Sequence, residues 1–303
     1  MSLPVRVLGI VGKILIGAGV TLLLFAAYQI WGTSFQEGHT QNVLRNTLQQ
    51  EAQNAAVRHA LAEAAALDKL PTGPPRIAPT SKAPAEGQPV GVIRIPTIGI
   101  NQVLVEGTNT NDLRKGPGHY IGTPLPGQAG NSGVAGHRTT YGHPFYNLDA
   151  LKPGDDIVVT TVQGIFVYDT IRSQVVSPSD SAVLDNAFGA YITLTTCNPR
   201  FSASSRLVVT GKLAHSQLFP NSGLPTQLAS NSPQSGDLAG TTGGLGSAIV
   251  WGVIVAAVVA IDLLLAHRFR PRRWMIWAPG IVVVLVLLYN FFGAISPLLP
   301  ASF

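Results

Sequence analysis

Residues 191–206 read Y-I-T-L-T-T-C-N-P-R-F-S-A-S-S-R and hold Cys197, the only cysteine of the chain. Ile192, Thr193, Leu194, Thr195 and Thr196 before it make a β-rich run, and Asn198-Pro199 after it is a turn signal. Nine residues on, Arg206 opens a second β-rich run, Leu207-Val208-Val209-Thr210. Two short strands flanked by turn residues bring a thiol and a guanidinium near each other. Sixty residues upstream of Cys197, Gly136-His137-Arg138 lies between Gly130-Asn131-Ser132-Gly133 and Tyr141-Gly142-His143-Pro144. Imidazole, thiol and guanidinium in that order are the parts of a thiol acyl-transfer site.

Outward from this stretch the texture is of short β-type runs separated by turns. Candidate strands are residues 92–95, 98–105, 132–135, 156–161, 165–171, 191–196 and 206–212. Strands this short and closely spaced predict a closed or sandwiched all-β domain. Residues 178–188 can hold one short helix, opened by Ser179-Asp180-Ser181. Ahead of the β region, residues 42–70 are rich in Ala, Gln, Leu and Glu and lack Gly and Pro, which predicts a stalk helix. Residues 71–89 contain Pro71, Pro74, Pro75, Pro79, Pro84 and Pro89 and predict an extended, semi-rigid spacer. Behind the β region, residues 215–246 are rich in Ser, Gly, Asn and Pro and predict a flexible tether.

The 46% hydrophobic and 12% charged content is skewed for a soluble protein. The excess sits in three runs, residues 14–31, 247–266 and 275–299. Each approaches or exceeds the roughly 18–20 residues that cross a bilayer. Arg6 and Lys13 precede the first run, which places residue 1 in the cytoplasm and the following segment outside. The length of that run, and the absence of a small-x-small pattern after it, favour an uncleaved signal anchor over a cleaved signal peptide. Between the second and third runs lies His267-Arg268-Phe269-Arg270-Pro271-Arg272-Arg273, a basic loop that the same rule assigns to the cytoplasm. Asp262, inside the second run, is about one turn from this loop and is read as reaching its charges.

The net charge of +5 is topogenic. Without Arg6, Lys13, Arg268, Arg270, Arg272 and Arg273, 14 of the 20 basic residues remain against 15 acidic ones, a balance of −1. No basic patch with interleaved aromatics is left to argue for nucleic acid.

Cys197 has two readings: a small buried hydrophobe, or a free reactive thiol. Its place at a strand end, beside a turn and near Arg206, favours chemistry. A thiol attacks as thiolate and needs a neighbouring base or cation. His137, in a Gly-bounded turn, is the candidate base, and His119, His143 and His215 are read as surface histidines. Arg206 offers a fork of donors for an oxyanion, and Arg200 is a rival that spacing alone does not exclude.

T-L-T-T-C at 193–197, R-L-V-V from Arg206, and the upstream A-G-H-R-T-T-Y-G-x-P-F from Ala135 resemble the sortases, membrane-anchored cysteine transpeptidases of Gram-positive bacteria. The similarity covers residues 91–213 and implies an eight-stranded sortase β-barrel. It also implies Cys197 as nucleophile, His137 as acid/base partner and Arg206, in preference to Arg200, as stabiliser of the transition state. Gly116 to Asn131, reading G-P-G-H-Y-x-G-T-x-x-P-G-x-x-G-N, together with H-R-T-T-Y, is similar to the actinobacterial class E members. That class implies an L-A-x-T-G sorting signal in place of L-P-x-T-G, with Tyr120 and Thr196 as substrate contacts. No Asp-Pro-aromatic lid segment precedes the β region, which favours wall anchoring of proteins over pilus assembly.

The three apolar runs and the charges flanking them predict a multi-pass cell-membrane protein with its catalytic domain extracytoplasmic, although paired C-terminal spans are not part of the minimal plan of the family it resembles. Its partners would be secreted proteins with C-terminal sorting signals, a peptidoglycan-precursor amine and membrane lipid, with no metal or organic cofactor. The partition expected is 1–34 for the cytoplasmic terminus and signal anchor, 35–90 for stalk and linker, and 91–213 for the barrel. Next come a tether at 214–246, a span at 247–266, a basic loop at 267–274 and a span at 275–299. A rival non-enzyme reading is a membrane-tethered β-domain acting as a binding or scaffold module, with Cys197 merely buried. Other thiol enzymes of the cell wall fit less well. L,D-transpeptidases carry Ser-His-Gly-Cys, unlike Thr195-Thr196-Cys197-Asn198, and papain-type endopeptidases place Cys before His.

Overall fold

The computed structural model describes residues 3–51, 70–219, 245–268 and 273–296. They fall into two compact units, one drawn from 1–33 and 243–299, the other from 34–242.

The larger unit is a closed barrel of eight strands. They are β1 (Pro89–Ile95), β2 (Ile100–Glu106), β3 (Gly118–His119), β4 (Gly130–Ala135), β5 (Asp156–Thr161), β6 (Gly164–Val176), β7 (Ala190–Asn198) and β8 (Ser205–Leu218). Their order around the barrel is β1-β2-β3-β4-β7-β8-β6-β5, and β5 closes it by pairing with β1. The expected all-β barrel is therefore present. Two pairings are parallel, β2 with β3 and β4 with β7, and the others are antiparallel. The seven expected strands all form, and the eighth, β3, has only two residues. The short helix expected before β7 is a 3-10 turn at Ser181–Leu184, whose first turn is capped by the Asp180 carboxylate accepting from the Ala182 N–H.

Side chains alternate across each strand, so every strand has an inner and an outer set. Ile93, Leu104, Val159, Phe166, Ile192, Leu194 and Val209 fill the interior. On the far side of β1, β2, β5 and β6, Val92, Val103, Val105, Val158, Ile165 and Val167 form a second apolar layer, joined by Leu44, Leu48 and Phe219. Leu44 and Leu48 belong to α2 (Thr33–Glu51), which therefore docks on the barrel. Burying Leu48 to 2% exposure contributes roughly 1.5–3 kcal/mol.

The segment read as a free stalk is thus part of the barrel unit where it is described. Residues 52–69 of that expected helix lie outside the described residues. The Pro-rich stretch does not stand off as a spacer either. Ala78 enters the core and donates its N–H to Gly127 O at 2.7 Å, and Gln163 Nε2 donates to Pro79 O at 2.8 Å. A chain rich in proline has few amides of its own to satisfy, so glutamine and serine side chains of the barrel supply its bonds. On the other side β8 runs on to Leu218, past the expected start of the tether, and residues 220–244 lie outside the described residues.

The smaller unit holds α1 (Leu3–Ala27), a π-helical turn at Tyr28–Gly32, and the helices Leu245–Arg268 and Arg273–Ile295, which we number α4 and α5 after the short α3 (Thr110–Leu113). Ile14, Leu22, Leu23, Val253 and Leu264 are exposed, as in helices that face lipid. Val11–Gln50 and Leu245–Leu265 are helical stretches long and apolar enough to cross a membrane, and Pro279–Ile295 is apolar but shorter. Within this unit Tyr28 packs edge-on to Tyr289 at 5.1 Å, as Phe25 does to Phe292 at 5.1 Å. Asp262 faces Gly280, one residue after Pro279 of α5.

Candidate functional site

The site is built by strand register. In the parallel pair β4–β7, Val134 lies opposite Leu194 and Ala135 opposite Thr195. Carried two residues past the end of β4, the same register sets His137 opposite Cys197. The chain keeps to it at first, because Gly136 donates its N–H to Thr195 O at 3.0 Å and Thr196 Oγ1 donates to Gly136 O at 2.7 Å. In the antiparallel pair β7–β8, Cys197 lies opposite Arg206. Adjacent strands are about 4.8 Å apart, so imidazole, thiol and guanidinium issue from three neighbouring strand ends in one row.

Register also separates the two arginines that spacing left open. Arg206 is the cross-strand partner of Cys197, and its Nη1 donates to the Ala203 and Ser205 carbonyls at 3.0 and 3.2 Å. Arg200 points elsewhere, gripping both carboxylate oxygens of Asp149 at 2.9 and 3.1 Å and lying 4.5 Å over the Tyr146 ring.

Alternation sorts the threonines. Thr193, Thr195 and Cys197 share the outer face of β7, whereas Thr196 faces the opposite way with its hydroxyl committed to Gly136. Tyr120, by contrast, reaches the outer face. Its hydroxyl is 2.9 Å from Thr195 Oγ1 and close enough to feel the charges of Arg206 and Cys197. A Cβ on Gly133 of β4 would lie 2.8 Å from both Tyr120 Cδ2 and Leu184 Cδ2, so glycine there leaves room for both side chains. Tyr120 and Leu184 thus line the outer face leading to the thiol.

The row is buried: Cys197 is 6%, His137 2% and Arg206 6% exposed. Burial pushes the Cys197 thiol up, opposed by the guanidiniums of Arg206 and then Arg138. Burial, with the nearby Arg114 charge, pushes His137 down to about 4. The resting pair is therefore a neutral thiol and a neutral imidazole. Neither ring nitrogen of His137 has a hydrogen-bond partner among the described residues. Tyr120 is pushed up to about 12 by burial, so it stays a phenol.

Arg138 was not singled out from the sequence. It is 3% exposed, donates from Nη1 to Cys197 O at 3.1 Å and to Asn198 Oδ1 at 2.7 Å, and pairs through Nη2 with Asp149 at 3.1 Å. It ties the strand end bearing Cys197 to the loop bearing His137. Its position directly after His137 was the available signal. His119, read as a surface residue, is fully buried between Glu106 Oε2 at 2.8 Å and Pro124 O at 3.0 Å. It lies in β3, the strand too short to be read, which is why its burial was missed. His215 is held by Gly73 O at 3.0 Å, and His143 packs edge-on to Tyr146 at 5.7 Å. Among the described residues, no group of three or more His, Cys, Asp or Glu is arranged to hold a metal ion.

Fold and site together define a closed β-barrel with a buried thiol set between an imidazole and a guanidinium at adjoining strand ends. A sortase-domain family model matches residues 93–214. Sortase SrtE1 of Streptomyces coelicolor is 35% identical over 219 residues, covering 67% of this chain and 56% of the relative. Sortase D of Bacillus subtilis is 33% identical over 134 residues, 43% of this chain and 66% of that protein. Among solved structures, sortase E from Streptomyces avermitilis is 38% identical, covers 46% of this chain and 99% of its own, and aligns with a TM-score of 0.42. The chain belongs to the sortase family. It spans 56% of the length of the SrtE1 relative.

Proposed function

We propose that this chain is a membrane-anchored cysteine transpeptidase that cleaves the Thr–Gly bond of an L-A-x-T-G or L-P-x-T-G sorting signal and joins the released carbonyl to a cell-wall amine. The observation that carries the reading is the row His137, Cys197, Arg206 across three adjoining strand ends. The similarity to a class E relative favours the alanine-containing signal.

The chemistry starts from the neutral pair. His137 takes the Cys197 proton as the sulfur attacks the threonine carbonyl carbon, and Arg206 donates hydrogen bonds to the oxyanion. The His137 imidazolium then gives its proton to the departing glycine amine, leaving a thioester on Cys197. An incoming amine loses a proton to His137 and attacks the thioester, and the thiolate leaves and is reprotonated. Two moderate barriers replace one difficult amide exchange. Tyr120, on the outer face beside Thr195, reads the second position of the signal. The barrel at 91–213 acts outside the cell, with spans at 14–31, 247–266 and 275–299 and the basic loop in the cytoplasm.

The test uses the full chain in detergent micelles, with and without Cys197→Ala. Each is incubated with L-A-x-T-G and L-P-x-T-G peptides and a glycine-based amine, and products are followed by mass spectrometry. The reading predicts Cys197-dependent ligation that prefers the alanine-containing peptide. Preference for the proline-containing peptide would keep the chemistry and overturn the signal. Absence of any Cys197-dependent product would overturn the function and favour a scaffold domain.

A further inference from the structure

We propose that α2, the helix following the N-terminal apolar segment, is a working part of the active site, with Glu37 positioning the loop that carries His137. The proposal concerns the site assigned above and so rests on that reading.

It begins with a gap in the barrel wall. β2 has seven residues but β3 only two, and the two strands meet only at Val105–Gly118 and Glu106–His119. The outer edge of β2 at residues 101–103 is left without a strand, and unpaired backbone groups there are costly. Gln41 of α2 takes the missing strand's place. Its Oε1 accepts from Val103 N at 2.6 Å, while its Nε2 donates to Val103 O at 3.0 Å and to Lys115 O at 2.7 Å. Four residues on, Arg45 Nη2 lies 3.5 Å from Asn101 O. Residues four apart share a helix face, so Glu37, Gln41 and Arg45 lie in one line along the gap.

Glu37 is the end of that line nearest the catalytic loop. It is 5% exposed, and its Oε1 has no hydrogen-bond partner among the described residues. Its carboxyl abuts Gly142, where a Cβ would lie 2.5 Å from Glu37 Oε2. Gly142 is the middle of Tyr141-Gly142-His143, three consecutive residues at φ 47°, 71° and 38°. Two non-glycine residues in that region are strained and persist only where surroundings hold them. Tyr141 in turn lies 5.2 Å from the His137 ring, with the Arg114 guanidinium 5.5 Å from its own ring. Phe145 closes the loop by donating its N–H to His137 O at 3.1 Å. Contact therefore runs unbroken from Glu37 through Gly142 and Tyr141 to the imidazole. An apolar side chain would fill the buried place of Glu37 more cheaply, since a buried carboxyl oxygen without a partner is expensive. Positioning the loop is what the carboxyl offers in return.

The experiment compares the full chain in micelles with Glu37→Gln, Glu37→Ala and, as reference, His137→Ala. Three quantities are read: kcat and KM for peptide cleavage, Tm, and the rate of Cys197 alkylation by iodoacetamide, which depends on the imidazole and needs no peptide. Glu37→Ala should lower kcat about tenfold with KM within about twofold, and slow alkylation toward the His137→Ala rate. Glu37→Gln, which keeps the shape, should recover most of both. Unchanged kcat and unchanged alkylation would overturn the proposal, whatever happens to Tm. If the parent chain cleaves no peptide, the transpeptidase reading fails, while alkylation still decides whether Glu37 governs the His137–Cys197 pair.

Discussion

The barrel has two outer faces of opposite character. On β1, β2, β5 and β6 the outer positions are Val92, Val103, Val105, Val158, Ile165 and Val167, covered by Leu44 and Leu48 of the docked helix. On β4, β7 and β8 they include Asn131, Thr193, Thr195, Cys197 and Arg206, bordered by Tyr120 and Leu184. One strand type is apolar on both sides because a second layer covers it, and the other is apolar only toward the core. Polar groups on the second face are paired with each other, Thr193 with Asn131 at 2.8 Å and Thr195 with Tyr120 at 2.9 Å. The first face holds the barrel in place on its helix, and the second holds a thiol, an imidazole and a guanidinium where strand ends converge. The proposed role of Glu37 links them.

The largest break in this comparison should come from Arg138, whose guanidinium ties Cys197 O and Asn198 to the His137 loop. Arg138→Met should lower kcat/KM by about 10- to 100-fold through misplacement of Cys197. It should also cost roughly 1–3 kcal/mol of stability, because a buried carbonyl loses its donor. Steady-state kinetics and urea unfolding measure the two losses separately.

Exchanging chemistry between the faces should have smaller and opposite effects. Val158→Thr puts a hydroxyl without a partner into the apolar face and should cost about 1–3 kcal/mol while leaving kcat unchanged. Thr195→Val removes the partner of the Tyr120 hydroxyl. It should raise KM for the signal peptide several-fold, with a stability loss of about 1 kcal/mol. If both substitutions changed only stability, the two faces would not differ in function.

The last effect is on pH dependence. One proton is shared by the Cys197–His137 pair between the acid limb of His137 near 4 and the alkaline limb of a thiol pushed up by burial. The profile of kcat/KM should be flat between those limbs. For stability the sign follows from His137 binding its proton less readily folded than unfolded. Between pH 6.5 and about 4 the unfolded chain takes up more protons, so stability falls as pH drops through that window, by up to roughly 3 kcal/mol. Comparing urea midpoints of the parent and His137→Gln at pH 7 and pH 4.5 isolates this contribution, which the variant should lack.

Much of this contrast was legible in the sequence. The alternation through Ile192–Cys197 marks a strand with one polar face, and the turn chemistry around it places Cys197 at an end. Six of the seven strands could be read because each carries several β-branched residues; β4 offers only Val134 among small residues, and two-residue β3 has no pattern to read. Composition marked a helix before the barrel, but it could not show that Gln41 completes a strand edge sixty-two residues away in the chain. Proline spacing suggested a standing-off spacer because it says nothing of the side chains that satisfy the segment from outside. That Thr195 shares the strand face of Cys197 and Thr196 does not was legible from alternation, since only positions two apart share a face. Arg206 and Arg200 needed the register, which no local spacing supplies.

The most direct test of the account is the intact mass of the full chain after brief exposure to an L-A-x-T-G peptide without an amine acceptor, followed by acid quench. The account predicts an added mass equal to the peptide up to its threonine, mapped to Cys197 and absent in Cys197→Ala. It also predicts that this adduct is lost on treatment with hydroxylamine, as a thioester would be. Turnover of the peptide that persists in Cys197→Ala, or an adduct mapped to any other residue, would contradict the central place given to the row of His137, Cys197 and Arg206.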